Sequence, residues 1–378
     1  MPGHEELSSC TVPTPVGHNH ASFLHRGVDG DLWCTWFGGT HEGKPDVSIY
    51  ASRLPAGGTR WTPAVKLSDD PGRSEQNPVL WSPEDGTLEL LYTAQVLGSQ
   101  DTSVVRRRRS TDGGRTWGDV EQVFDEPGLF IRQRPTTLRD GLVLLPVFRC
   151  TTLPGRSWKG DADVSLVALS RDRGRTWELV EVPGTTGLVH MDVLPDRAGT
   201  GLVAFFRSRW ADFVYRATSQ DGRSWTAPQP LDVPNNNSSI QAARLGDGRL
   251  VLAHNPVNAA MSPPVAVDDD PSKIVAAGER SELDREAVWG VRRVPLVLSV
   301  SEDDGLTWGV AVVVEAGTDR AGEAVWAGLP DAAEMSYPSV VRDGDAVWLS
   351  YSYDRVAIKV VRVPSTELVA PSSGDGAR

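Results

Sequence analysis

Short stretches of alternating apolar and polar residues recur along the whole chain. Residues 164–169 (VSLVAL) have the two-residue period of a β-strand, and residues 179–182 (LVEV) continue the extended pattern. A segment rich in Arg, Gly and Thr separates the two stretches, which is typical of a turn. The pattern therefore predicts a repeated unit of strand, turn and strand, with little helix.

Five of these turns share one sequence motif. It runs from a Ser through an Asp and a Gly to a Trp, at residues 110–117 (STDGGRTW), 170–177 (SRDRGRTW), 219–225 (SQDGRSW), 301–308 (SEDDGLTW) and, in degenerate form, 56–61 (AGGTRW). Asp and Ser side chains bond to the backbone of such a turn, Gly adopts a positive φ, and Trp packs between neighbouring sheets. Because local bonding to the turn is the expected role of these Asp residues, we assign them no catalysis.

The spacing of the motif predicts the architecture. Copies recur every fifty to sixty residues or so, with about four short strands in each repeat, which is typical of an all-β, six-bladed β-propeller with these turns between its strands. The predicted blades are residues 16–75, 76–128, 129–186, 187–235, 236–318 and 337–363. We expect residues 8–12 to form the outer strand of the last blade, because an unpaired edge would favour aggregation. A seventh blade, taken from an insertion in blade five, is the less favoured alternative.

The whole of residues 1–369 is expected to form one domain. Residues 261–288, rich in Pro, Asp and Ala, read as a surface insertion in blade five. Residues 370–378 have no apolar content to bury, so we expect a disordered tail.

Composition and charge narrow the function classes. The formal net charge of −12 argues against binding to nucleic acid or to an anionic membrane. No apolar run approaches the length of a membrane span, and the N-terminus shows no secretory signal, so a cytoplasmic protein is expected. The spacing of Cys10, Cys34 and Cys150 indicates no disulfide or zinc framework; we expect buried thiols.

The turn motifs and the order of the blades resemble the sialidase superfamily, the BNR or Asp-box propellers. Residues 36–43 (WFGGTHEG), 77–80 (NPVL) and 336–338 (SYP) resemble most a bacterial subgroup described as predicted neuraminidases. A fainter resemblance is to propellers that cleave rhamnosyl-glucuronate linkages by hydrolysis or elimination. The resemblance implies a glycosidase without a cofactor.

The resemblance also implies catalytic residues. Tyr337 matches the sialidase nucleophile, and Glu42 matches the general acid/base, with His41 and Asp46 as near competitors. The Glu that polarises the sialidase Tyr falls on Ser239.

The arginines that clamp the sialic acid carboxylate are mostly missing from the matched positions. The first falls within residues 18–22 (HNHAS), the second falls near His254 and Asn255, and only Arg292 or Arg293 matches the third. Each lost charge-assisted hydrogen bond forfeits ~1.5–3 kcal/mol, so ordinary sialic acid is not the expected substrate.

Two histidines extend the candidate catalytic set. On a strand, His18 and His20 point to the same face, and an imidazole can accept or donate a proton near neutral pH. The alternative is a structural pair that bonds neighbouring blades. A metal would need a third ligand such as His41 or Asp46, and none is predicted; a structural calcium at residues 268–270 (DDD) is a weaker alternative.

Arginines recur at alternating positions where strands should approach the central channel. Inside an acidic protein, such guanidiniums would attract an anionic substrate and bind its carboxylate or sulfate. General enrichment in Arg is the alternative explanation. The predicted substrate-binding set is Arg132, Arg134, Arg207, Arg292, Arg293, Arg355, Asn77 and His41.

The function predicted first is an exo-acting glycoside hydrolase on a small acidic saccharide, with Glu42 as general acid/base and Tyr337 as nucleophile. A lyase that eliminates from a terminal uronate is the second alternative, with His20 or Tyr337 taking the C5 proton. A non-catalytic carbohydrate-binding propeller and a small-molecule pathway enzyme remain open, as does the oligomeric state.

Overall fold

The computed structural model describes residues 8–83, 85–97, 99–262, 285–317 and 333–369. Regular secondary structure in these residues consists of strands alone, which form six antiparallel sheets arranged as the blades of a propeller. Their alternating apolar residues pack between adjacent blades, as in the cluster that joins Phe23, Val79 and Ile131 from the first three. The predicted all-β, six-bladed fold is confirmed.

Along each sheet the strands follow chain order, except that the first strand of the chain is the outermost strand of the sixth sheet and the third sheet carries a short extra strand. The first strand of blade one lies beside those of blades two and six, and the first strand of blade five lies beside those of blades four and six. Blade one consists of β2 (His18–Arg26), β3 (Leu32–Gly39), β4 (Ser48–Leu54) and β5 (Val65–Lys66). Blade two consists of β6 (Ser74–Trp81), β7 (Leu88–Val96), β8 (Ser99–Ser110) and β9 (Glu121–Gln122). Blade three consists of β10 (Leu129–Ile131), β11 (Thr136–Thr137), β12 (Val143–Arg149), β13 (Val164–Ser170) and β14 (Glu178–Glu181).

Blades four and five consist of β15 (Leu188–Pro195), β16 (Leu202–Ser208), β17 (Phe213–Ser219) and β18 (Gln229–Pro234), and of β19 (Gln241–Arg244), β20 (Leu250–His254), β21 (Leu296–Ser301) and β22 (Gly309–Glu315). The last blade consists of β23 (Met335–Asp343), β24 (Ala346–Tyr353), β25 (Ala357–Pro364) and β1 (Ser8–Val12).

The ring is closed by the first strand of the chain. β1 pairs antiparallel with β25 as the outermost strand of the sixth sheet, in a register that places Ser8 opposite Arg362 and Val12 opposite Ile358. This closure covers an edge that would otherwise be open to aggregation. The sequence prediction for residues 8–12 is confirmed.

The Asp motifs form tight turns held by their own side chains. In residues 110–117, the Ser110 hydroxyl accepts from the backbone N–H of Gly114 at 2.8 Å. Asp112 accepts from the backbone N–H groups of Arg115 and Thr116, each at 2.9 Å, and from the Thr116 hydroxyl at 2.6 Å. The predicted structural role of these Asp residues is what the structure shows.

Glycine in this motif brings the turn against the next blade. Gly305 has a φ of +80°, and a Cβ there would lie 2.3 Å from Cζ of Phe205 in blade four. Trp308 packs edge-on against the same ring, with 5.5 Å between centroids. The turn thus joins two blades.

A bulge interrupts the inner strand of four blades near one end of the channel. The residues at these bulges, Ala21, Asn77, His190 and Tyr337, have φ values of 53°, 49°, 52° and 53°. Positive φ is uncommon for residues other than glycine, and a bulge redirects the side chain that it carries. The bulges therefore set where His190 and Tyr337 point.

Some sequence predictions fall wholly or largely outside the described residues: most of the 261–288 insertion, residues 268–270 and the 370–378 tail. Of the cysteines, Cys34 and Cys150 are buried as expected, but Cys10 is exposed because it lies on the outermost strand β1. Among the described residues, no helix is long and apolar enough to cross a membrane.

Candidate active site

A polar pocket lies at the mouth of the central channel, and residues from all six blades line it. Its wall includes the rings of Phe130, Phe148 and Trp289. Its charged groups are four guanidiniums and one carboxylate, those of Arg207, Arg209, Arg293, Arg355 and Glu42. Because these side chains come from distant parts of the chain, only the closed ring brings them together.

Tyr337 occupies the centre of this charged group. Nη1 of Arg207 donates a hydrogen bond to the Tyr337 hydroxyl oxygen at 2.8 Å. The guanidinium carbons of Arg132, Arg207 and Arg293 lie 5.5, 5.6 and 5.6 Å from the centre of its ring. Burial raises the pKa of Tyr337, but the positive charges of Arg207 and Arg293 outweigh burial and lower the pKa below its usual value. Tyr337 is thus suited to act as a nucleophile or a base.

Glu334 holds two of the arginines in place. Its carboxylate accepts from Nη1 of Arg293 at 2.7 Å and from Nε of Arg355 at 2.8 Å. Arg355 also pairs with Glu42 through its Nη1. Burial acts to raise the pKa of Glu334, but Arg293 and Arg355 together hold it well below its usual range. Sequence reasoning missed Glu334, although it lies three residues before Tyr337.

Arg207 differs from the other guanidiniums of the pocket. Its Nε donates to the side-chain oxygen of Asn237 at 2.9 Å, and its Nη2 has no hydrogen-bond partner among the described residues. Arg209, by contrast, pairs with Asp163 at 2.6 Å. Within the part of the chain that the structure describes, Arg207 therefore keeps its charge uncompensated by any carboxylate.

Histidines of β2 border the pocket. The His20 ring lies 4.3 Å from the Tyr337 ring, between centroids, and its Nε2 lies 4.0 Å from Glu334. The His18 ring faces His41 at 5.4 Å. Burial lowers the pKa of His18 to about 4 and that of His20 well below its usual value, so both imidazoles are neutral at pH 7.

A family model described as BNR repeat-like domain matches residues 30–349. The chain belongs to this family. No curated protein matches the sequence.

Solved structures with the same fold include sialidases. A Hadza microbial sialidase has a TM-score of 0.68 at 15% identity, over 94% of this chain and 67% of that one. The NanB sialidase from Streptococcus pneumoniae has a TM-score of 0.67 at 11% identity, over 97% and 71%. A protein of unknown function from Dyadobacter fermentans has a TM-score of 0.68 at 17% identity, over 96% and 100%. At these identities the likeness shows the fold alone.

In this BNR-family propeller, the pocket brings together Glu42, Asn77, Arg207, Arg293, Arg355 and Tyr337 from the predicted set. Other predicted residues lie elsewhere. Asp46 is exposed and accepts from the backbone N–H and the hydroxyl of Thr40, so it stabilises its own loop rather than facing the pocket. Arg292 does not line the pocket; its backbone carbonyl accepts from Asn236 at 2.7 Å.

Two predicted substrate-binding arginines are structural ties in the channel. Arg132 donates through Nη2 to the backbone carbonyls of Ser22 and Tyr337, at 2.9 and 3.1 Å. Arg134 donates to the side chain of Gln241 at 2.8 Å and to the carbonyl of Val340. Neither lines the pocket, because the inner strand carries both down the channel.

The matches to the sialidase Glu and second clamp Arg also need correction. Ser239 lies next to His190 rather than Tyr337, and His254 bonds Ser299 at 2.9 Å, away from the pocket. Asn255 binds backbone carbonyls. The bulge in blade four instead brings His190, with Arg207, next to Tyr337. No sequence motif marked His190.

Within the described ranges, no three His, Cys, Asp or Glu side chains lie close enough together to hold a metal ion. The chemistry that this pocket offers is that of a phenol, imidazoles, carboxylates and guanidiniums.

Proposed function

We propose that this BNR-family propeller is an exo-acting glycoside hydrolase that removes a small sugar bearing one carboxylate. The observation that carries the proposal is the position of Arg207, which bonds the Tyr337 oxygen while no described carboxylate neutralises it. A substrate carboxylate would supply the missing negative charge, and guanidiniums bind carboxylates in a favourable planar geometry. Binding at this point would place the sugar over Tyr337.

The count of charges supports a substrate with a single negative charge. Four guanidiniums line the pocket, and the carboxylates of Glu42, Glu334 and Asp163 pair with three of them. The neighbouring His18, His20 and His190 are neutral at pH 7, because their pKa values are lowered. One positive charge is left, and a monoanion compensates it.

In the hydrolytic mechanism, the Tyr337 hydroxyl gives its proton to Glu42, and its oxygen attacks the anomeric carbon as the bond to the leaving oxygen breaks. The leaving oxygen takes a proton from Glu42. Glu42 pairs with Arg355 in the free protein, and Arg355 keeps its second partner Glu334 when Glu42 takes up this proton. Water, activated by Glu42 as the base, then releases the sugar from Tyr337.

The partners of Tyr337 favour one second candidate, a β-eliminating lyase. The Tyr337 oxygen bonds a guanidinium, and the His20 ring lies 4.3 Å from the Tyr337 ring. In elimination, Tyr337 or His20 would take the C5 proton of a uronate while Arg207 binds its carboxylate; the C4–O bond breaks as the C4=C5 double bond forms, and the proton taken from C5 passes to the leaving oxygen. No bond from carbon to Tyr337 forms in that reaction.

The test is incubation of the protein with sialosides, uronosides and rhamnosyl-glucuronate oligosaccharides. Release of reducing ends and the ultraviolet absorbance of unsaturated uronate are both followed. Release without new absorbance, lost in Glu42→Gln and in Tyr337→Phe, supports hydrolysis. New absorbance that survives Glu42→Gln supports the lyase. Silence on every substrate, with no binding by calorimetry, overturns both.

A further inference from the structure

His190 sits in a chain of contacts that ends at Tyr337. Its Nδ1 lies 3.0 Å from the Ser239 hydroxyl, and its Nε2 lies 3.4 Å from Nη1 of Arg207, the atom that donates to the Tyr337 oxygen. His190 is 3% exposed, and the bulge in β15 fixes its backbone. Neither of the two functions considered above uses this imidazole.

The chemistry of these partners settles where the imidazole proton lies. A guanidinium can donate hydrogen bonds but cannot accept them, so the Nε2 facing Arg207 carries the lone pair. The proton is then on Nδ1, which donates to the Ser239 hydroxyl. Burial, followed by the charges of Arg207 and Arg209, lowers the pKa of His190 well below its usual value, so the ring stays neutral.

We propose that His190 is a positioning residue, whose Nε2 lone pair holds the Arg207 guanidinium against the Tyr337 oxygen, and that Ser239 fixes the tautomer this requires. A carboxylate at the same place would also hold Arg207, but would cancel its charge. A neutral acceptor leaves that charge to act on the Tyr337 oxygen and on a bound carboxylate. Only the catalytic consequence rests on the proposed function.

Other groups also act on Tyr337 and stay in place when His190 is changed. The guanidiniums of Arg132 and Arg293 lie within 6 Å of its ring centre, and the His20 ring packs against it. The carboxylates of Glu42 and Glu334 oppose these positive charges, the first directly and the second by pairing with Arg293. The His190 ring itself lies 5.8 Å from the Tyr337 ring, between centroids, and losing it would expose Tyr337 and lower the pKa of Tyr337. A rise in that pKa on altering His190 therefore reports the position of Arg207.

The experiment is a spectroscopic titration of the tyrosines in the free protein. Of the six tyrosines, Tyr92, Tyr215 and Tyr351 have raised pKa values, whereas that of Tyr337 is lowered. The first tyrosine to ionise should therefore be Tyr337, and Tyr337→Phe should remove this step.

In His190→Ala, the midpoint of the first step should rise by about one pH unit, because Arg207 is no longer held against the Tyr337 oxygen. Ser239→Ala should give a smaller rise in the same direction. His190→Gln supplies a side-chain oxygen as acceptor and should return the midpoint toward that of the parent protein.

The matched control is His254→Gln, since His254 is also a buried histidine bonded to a serine, Ser299, but lies outside the pocket. It should leave the midpoint unchanged. An unchanged midpoint in a folded His190→Ala protein, or an equal rise in His254→Gln, overturns the proposal. No substrate is involved, so failure of the glycosidase proposal would show as inactivity without altering this titration.

Discussion

The Asp-motif turns and the channel mouth use the same kinds of polar side chain at very different distances along the chain. In the turn, Asp112 bonds only residues two to four positions away. At the mouth, Tyr337 bonds Arg207 across 130 positions, and Arg355 bonds Glu42 across 313. A turn can therefore form wherever its motif stands, whereas the pocket forms only when all six blades are in place.

Electrostatics follow the same division. Hydrogen bonds from Thr176, with others from the same turn, lower the pKa of Asp172 to about 2. At the mouth, the pKa shifts come from burial and from charges outside the residue's own strand, as for His190 and Tyr337. Local bonds stabilise charge in the turns, and long-range packing controls it at the mouth.

The largest expected difference between the two regions is in their response to acid: the buried histidines should lose their stabilising contribution at a higher pH than the turn aspartates. The lowered pKa values of the buried histidines mean that the unfolded chain binds more protons, so stability is lost as pH falls from 6.5 toward 4. The pKa values of the aspartates in the Asp-motif turns are lowered from 3.8, so these residues lose their contribution to stability only as the pH falls below about 3.8. The histidines concerned are His18, His20, His25, His190 and His254.

Three buried acids oppose this effect. The pKa of Asp192 is raised to about 6, and those of Glu75 and Glu89 are also raised. The folded protein therefore binds more protons at these carboxyl groups than the unfolded chain does, and their contribution to stability is lost as pH rises. Because five histidines act against three acids, the free energy of unfolding should fall by several kcal/mol as the pH falls from 7 to 4, at ~1.4 kcal/mol per pKa unit. Urea unfolding from pH 7 to 4 measures it, and constant stability from pH 6.5 to 4.5 contradicts it.

Tyr337→Phe should abolish function and spare the fold. Removing the phenol oxygen should lower kcat by about 10³-fold or more if Tyr337 is nucleophile or base. Stability should fall by ~1.5–3 kcal/mol, the value of one hydrogen bond to a charged group. Kinetics on the substrate found by the panel, with thermal unfolding, measure both. Tyr353→Phe, outside the pocket, is the control, and equal losses in the two variants would contradict the prediction.

Gly305→Ala should destabilise the fold and leave catalysis intact, and its free-energy effect should be smaller than the effect of Tyr337→Phe on catalysis. Positive φ and the overlap with Phe205 should cost ~3 kcal/mol of unfolding free energy, while kcat is retained. Gly113→Asp is the matched control: no atom lies within 4 Å of its Cβ position, and the equivalent residues Arg173 and Asp304 already have positive φ. It should cost ~1 kcal/mol. Equal losses in denaturation experiments would show that the contact with Phe205 is unimportant.

The sequence predicted the turns, the six blades and the closing strand because the interactions that form them are local or repeated. Tyr337 and Glu42, which both line the pocket, were predicted through a short motif resemblance. Glu334 and His190 were missed, since each gains its role from partners distant in sequence: Arg293 lies 41 positions from Glu334, and Ser239 lies 49 positions from His190. Arg132 and Arg134 were misplaced, because alternation along a strand gives the face of a residue but not its depth in the channel.

The repeated bulges have a consequence for how such a protein can change over evolution. The four bulges share a similar backbone, and three of them place their side chain in the pocket: the amide of Asn77, the imidazole of His190 and the phenol of Tyr337. The hydrophobic clusters of the blades contain neither Asn77 nor His190, so exchange of either side chain alters the chemistry of the pocket and leaves those clusters in place. A ring of this kind can acquire a new substrate one position at a time.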